Sequence, residues 1–139
     1  MKILSSHTAS TTHSQQLVFS RWADPTGWPE WDSEVREASF EGPARLGAHG
    51  KMRPASGPAT RFSITAFEQD RVFTNASSLP GATLIFEHRV TPVAGGTQVE
   101  VSVGVDGILA PLWQLVLGKN MGDAARSSVT GLIDHLDAA

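Results

Sequence analysis

Residues 83–105, TLIFEHRVTPVAGGTQVEVSVGV, read as two strands joined by a turn. In the first, Leu84, Phe86, His88 and Val90 alternate with Thr83, Ile85, Glu87 and Arg89. In the second, Val99, Val101, Val103 and Val105 share one face, and Glu100, Ser102 and Gly104 share the other. This period of two belongs to an antiparallel sheet with one face on a core and one in water. With Val90 opposite Val99, both strands send their apolar residues and His88 to the same side. A slip of one residue would turn that whole set toward solvent, so the pattern specifies the register strongly.

Upstream the chain keeps this character. From Glu37 to Asp106 it is mostly strand-like. ATRFSITAFEQ alternates Phe62, Ile64 and Ala66 with Arg61, Ser63 and Thr65, which directs Arg61 and Phe67 outward, as the phase of the next strands directs Arg53 and Ile85. The turn signals EGPARLG, PASGPA, EQDR, SLPGA and VAGG separate the runs. Links this short predict an antiparallel meander.

Before the meander, ILSSHTAS reads as a first strand and TTHSQQLVFSRWAD as a helix. Thr12 and Gln15 have the spacing of a capping box. Val18, Phe19, Trp22 and Ala23 form one apolar stripe, and Asp24-Pro25 ends the helix because proline disfavours helical geometry in the residue before it. Gly27 allows a bend, and Pro29 suits the first turn of a second short helix. Three of the four tryptophans, Trp22, Trp28 and Trp31, fall in this segment. Two short helices cannot bury three indoles alone; they need the apolar face of the sheet.

After the meander, Pro111 opens a helical pattern of about 25 residues that runs from Leu112 to Leu136. Gly118, Gly122 and Gly131 lie inside it, each costing about 1 kcal/mol relative to alanine. They mark close packing, or a kink near Gly118. The N-terminal half is apolar nearly all round, which predicts that it is enclosed.

Composition narrows the function. The 139 residues read as one domain, 1–139, with 40% hydrophobic and 18% charged residues. There are no cysteines and no tyrosines, so disulfides, thiolate metal sites and thiol or phenol catalysis are excluded. A net charge of −3 without a Lys/Arg cluster argues against nucleic acid. The N-terminus lacks the features of a signal peptide, and no apolar run approaches a membrane span. The expectation is a cytoplasmic protein.

The order of strand, two short helices, a run of strands and a long helix resembles the START-like helix-grip (SRPBCC) superfamily. It looks most like the bacterial polyketide cyclase/dehydrase group. The resemblance rests on FSRWADPTGWPEWDSEV, LPGATLIFEHRV, AGGTQVEV and GILAPLWQLVLGKNM, and covers nearly the whole chain. It implies an α+β fold: a curved antiparallel sheet of about six or seven strands wrapped around the long C-terminal helix, with a cavity between them. Trp28 and Trp31 would then plug or line one end of that cavity.

The residues that could carry chemistry are few. No pair among His7, His13, His49, His88 and His135 has metal-site spacing, and no cofactor motif is present. His88 points to the concave side, as a hydrogen-bonding group, a general base if its pKa stays near neutral, or a buried imidazole bonded to backbone. His7 could face either way. His13, near a helix start, and His135, near a helix end, read as surface residues. Asn75 shares its phase with Phe73, and a buried amide wants partners.

Three readings follow. The first is a binding module for a small, mostly hydrophobic molecule, walled by Trp28, Trp31, Phe62, Ile64, Phe73, Leu84, Phe86, Val101, Val103, Trp113 and Leu117, with Asn75 and His88 as orienting groups. The second is a cyclase, aromatase or dehydratase with His88 as acid or base. The third is an interaction protein with a filled interior and an exposed apolar patch, to which an outward Phe67 and Ile85 would contribute as the surface for a partner or a homodimer.

Overall fold

The 83–105 hairpin forms in the register its alternation specifies. Leu84 pairs with Val105, Phe86 with Val103, His88 with Val101 and Val90 with Val99. The loop between them is Ala94–Gly95, and Gly95 takes the left-handed conformation (φ 81°) that such a tight turn requires. The structure is a computed structural model that describes residues 1–55 and 59–139. The predicted PASGPA turn falls at residues 56–58 outside the described residues.

Seven strands make one antiparallel sheet: β1 (Lys2–Thr11), β2 (Val35–Phe40), β3 (His49–Pro54), β4 (Thr60–Glu68), β5 (Val72–Leu79), β6 (Ala82–Val93) and β7 (Gly96–Asp106). Their order is β1-β7-β6-β5-β4-β3-β2, the predicted meander with β1 returning beside β7. Bulges interrupt pairing between Ile3 and Ser5, between Val35 and Glu37, and between Ile64 and Ala66. Each bulge bends its strand and increases its twist, and the sheet curves into a half-barrel.

The bulge at Thr65 corrects one expectation. It reverses the phase of β4, so Phe67 turns inward and meets Phe19 edge-on, ring centroids 5.4 Å apart. Ile85 is half-buried, while Arg53 and Arg61 are exposed as expected.

Helix α1 (Gln15–Trp22) buries Val18, Phe19 and Trp22 against the sheet. Full burial of side chains this large contributes roughly 1.5–3 kcal/mol each. Its cap is Ser14, not Thr12: the Ser14 Oγ accepts the Leu17 N–H at 3.1 Å. Thr12 stands two residues too early to reach the first turn. The second short helix is a 3-10 segment, Pro25–Glu30, in which Pro25 takes the opening position expected of Pro29.

The long C-terminal helix is two helices, α2 (Ala110–Met121) and α3 (Ala124–Ala138). The break falls at Gly122–Asp123 rather than near Gly118, where two weak helix formers stand in sequence. Ser5 Oγ accepts the Ala125 N–H at 3.1 Å and so ties the start of α3 to β1. At the far end, His13 Nε2 and Asp137 Oδ1 are 2.7 Å apart.

Helix α2 lies across the β5–β6 turn. Trp113 Nε1–H donates to the Pro80 carbonyl at 2.8 Å, and Leu109 packs over Gly81. Only one side of α2 is covered. Ile108 and Leu115 are 92% and 80% exposed, and Leu112 and Val116 are exposed as well, so the expected enclosure of this segment does not hold. Among the described residues, no helix is long and apolar enough to cross a membrane.

Candidate functional site

A cavity of about 330 Å³ lies between the concave face of the sheet and the two C-terminal helices. Strands β6 and β7 supply Leu84, Phe86, His88, Val101 and Val103, and β5 supplies Asn75 and Leu79. Trp113, Leu117, Asn120 and Met121 of α2, with Ala124 and Ser128 of α3, form the opposite wall. Trp28, Trp31, Asp32 and Glu34 enter from the segment that precedes β2, and Val35, Met52, Pro54 and Thr60 complete the lining. A larger depression of about 460 Å³ lies in the β2–β3 loop, but its lining is exposed apart from Ala48 and holds no buried polar group.

Ten of the thirteen residues expected to bind a ligand line the cavity. Phe62, Ile64 and Phe73 do not. They are 2%, 1% and 0% exposed and belong to the packed core. Trp28 explains two of these cases. Its ring packs on Phe62 at 5.1 Å and edge-on to Phe73 at 6.1 Å, and itself faces the cavity.

The tryptophans divide their tasks. Trp22 is core, 1% exposed, with its ring 5.0 Å from the His88 ring. Trp28 is both core and wall, held by an Nε1–H bond of 3.0 Å to the Trp22 carbonyl. Trp31 is wall, and its buried Nε1 has no partner among the described residues. The prolines and Gly27 set the tight corner that brings all three to one end of the sheet.

His88 sits on the inner face of β6 with Nδ1 2.8 Å from the Phe73 carbonyl oxygen. Burial lowers its pKa to about 4, although bonds to the Phe73 and Phe86 backbone pull it partway back. The ring is therefore neutral at neutral pH. Nδ1–H donates to Phe73, which leaves Nε2 as the acceptor nitrogen. A near-neutral pKa was the condition for a general base here, and burial removes it.

Asn75 points inward with Phe73 and Ser77 and is 2% exposed, and its Oδ1 has no partner among the described residues. A buried polar atom left without a partner costs about 1–3 kcal/mol. His7 stands opposite Val101 on the inner face of β1 and is half-buried, outside the cavity lining.

Sequence reasoning missed Asp32 and Glu34. The Asp32 Oδ1 accepts the Glu34 backbone N–H at 2.9 Å. Burial raises the Asp32 carboxyl to about 6, the Glu34 N–H pulls it down, and the Glu34 charge pushes it up again. The signal was present in EWDSEV, where two acids follow a cavity tryptophan. Among the described residues, no group of His, Asp and Glu could hold a metal ion.

Comparison with known proteins agrees with this architecture. The Mesorhizobium loti protein MLL2253 superposes with a TM-score of 0.71 at 14% identity, over 96% of this chain and 98% of that one. The protein Ara h 8.0201 superposes at 0.67 with 13% identity, over 96% and 97% of the two chains. DynU16, from the dynemicin biosynthetic locus, superposes at 0.65 with 15% identity over 95% of this chain and 46% of its own. At such identities the likeness concerns the fold, which is the helix-grip fold. No curated protein matches the sequence. The family described as polyketide cyclase / dehydrase and lipid transport matches residues 5–138, and the chain belongs to that family.

Proposed function

We propose that this protein binds one small, mostly apolar molecule in the cavity between the sheet and helices α2 and α3. One observation carries the reading. The cavity has apolar walls, yet two of its lining residues, Asn75 and Trp31, each carry a buried polar atom, Oδ1 and Nε1, without a partner among the described residues. Ligand pockets combine apolar walls with a few orienting polar groups in this way. At the packing density of organic solids, the volume suits a ligand of about 15 non-hydrogen atoms. Both sides of the family description, cyclase and lipid transport, involve ligands of this character.

The test is native mass spectrometry of freshly purified protein with solvent extraction of bound molecules, then melting with aromatic and acyl ligands. A co-purifying apolar molecule near one per chain, or a ligand that raises the melting temperature, supports the reading. Leu84→Trp, which fills the cavity from β6, is expected to abolish that gain. An apo mass together with no thermal shift from any ligand sinks the reading.

A second reading, a cyclase or dehydratase, draws on Asp32, whose carboxyl near 6 suits proton transfer at neutral pH better than His88 does. Under it, Asp32→Asn abolishes turnover while binding persists. The exposed apolar residues of α2 offer a surface for a homodimer, and a sedimentation mass decides that point.

A further inference from the structure

The polar chemistry of the cavity is one-sided. Its lining holds two carboxylates, Asp32 and Glu34, and no lysine or arginine. Neither carboxylate makes an ion pair among the described residues. Asp32 is fixed by the Glu34 N–H, so it cannot swing freely to solvent for relief. The raised Asp32 pKa has the same origin: a negative charge taken partly out of water beside another, with no cation to offset it.

Two uncharged groups add acceptors to this. Asn75 is 2% exposed, lines this cavity, and has an Oδ1 without a partner. Neutral His88 has committed Nδ1–H to Phe73, which leaves a nitrogen lone pair. Thr60, Asn120 and Ser128 also line the cavity, with hydroxyl and amide groups that can donate or accept, so the fixed charges decide the preference. Trp31 Nε1–H is the one lining donor among the buried groups without partners. A ligand carboxylate would meet two like charges and no cation. A ligand ammonium would meet two opposite charges at the partly exposed end, where charge-assisted hydrogen bonds are strong.

Resting on the reading of this cavity as a binding site, we propose that it takes an apolar amine, with its hydrocarbon part against Phe86, Val101 and Val103 and its ammonium at Asp32 and Glu34, and that it rejects the matching carboxylate.

Three nearly isosteric probes test this on the full chain by calorimetric titration at neutral pH: naphthylmethylamine, naphthylmethanol and naphthoate. The amine is expected to bind at least about tenfold tighter than naphthoate. Asp32→Asn and Glu34→Gln are each expected to weaken the amine by about threefold to tenfold and to leave the alcohol within about twofold. Asparagine at 32 can still accept the Glu34 N–H, and Glu34→Gln provides a second variant should the first fold poorly. Naphthoate binding as tightly as the amine overturns the proposal, as does an amine that gains nothing over the alcohol; in both cases the cavity remains a binding site. No binding by any of the three overturns both.

Discussion

Gly131 of α3 lies against the backbone carbonyl of Trp31, so close that a Cβ built on Gly131 would overlap that oxygen. A glycine that looks costly within a helix is thus the point where α3 closes on the cavity segment. Helix propensity alone predicts that Gly131→Ala gains up to about 1 kcal/mol. The contact predicts the reverse, a loss of about 2–4 kcal/mol, because backbone on both sides must move apart. Chemical denaturation decides between them, and a variant as stable as wild type contradicts the contact.

Asp32 and His88 give opposite pH dependences. The Asp32 carboxyl, raised to about 6 from its ordinary 3.8, binds its proton more readily in the folded state. Its contribution favours folding below 3.8 and is lost as pH rises through 6. The His88 pKa, lowered to about 4 from 6.5, favours folding above 6.5, and that contribution is lost as pH falls through 4. Each is at most about 3 kcal/mol, and between pH 6 and 4 they largely cancel. Relative to wild type, His88→Gln should gain stability on acidification from pH 6 to 4 and Asp32→Asn should lose it. Melting curves of both variants that run parallel to wild type across this range contradict the assignment.

Trp113 anchors α2 through one bond to the Pro80 carbonyl. Trp113→Phe should cost about 0.5–1.5 kcal/mol. Faster amide exchange confined to α2 is the expected signature, since α3 is held separately by Ser5. Uniform loss of protection over the whole chain would show that α2 does not open by itself.

Leu115 is 80% exposed on the outer side of α2. Leu115→Lys should leave stability within about 0.5 kcal/mol of wild type. A drop of several kcal/mol would show that this face is covered in solution.

The β6–β7 pairing was legible because its alternation runs unbroken through both strands, and one slipped residue would expose every valine. Phe67 was not legible. A bulge at Thr65 leaves no mark in the sequence, since Thr65 and Ala66 fit a regular strand as well as an irregular one. The split between α2 and α3 was hidden by apolar residues that recur across Gly122–Asp123, and the exposure of Leu115 depends on which side of α2 meets the sheet. The cavity wall was largely legible from strand phase, but Phe62 and Phe73 could not be separated from it without knowing where the Trp28 ring falls. Asp32 and Glu34 reach the cavity through the turn after Trp31, a matter of tertiary geometry rather than periodicity.

The pairing of β1 with β7 also sets a timetable for synthesis. Ser5 finds its partner, Val103, only after every other strand has been made. At roughly 5–20 residues per second, β1 leaves the ribosome about 5–20 s before β7 exists. The β2–β6 meander can assemble progressively, while the first strand must wait with an unpaired edge. Long-range closure of this kind slows folding. Nascent chains stalled before Gly96 should therefore keep β1 accessible to protease, and release of the full chain should protect it last.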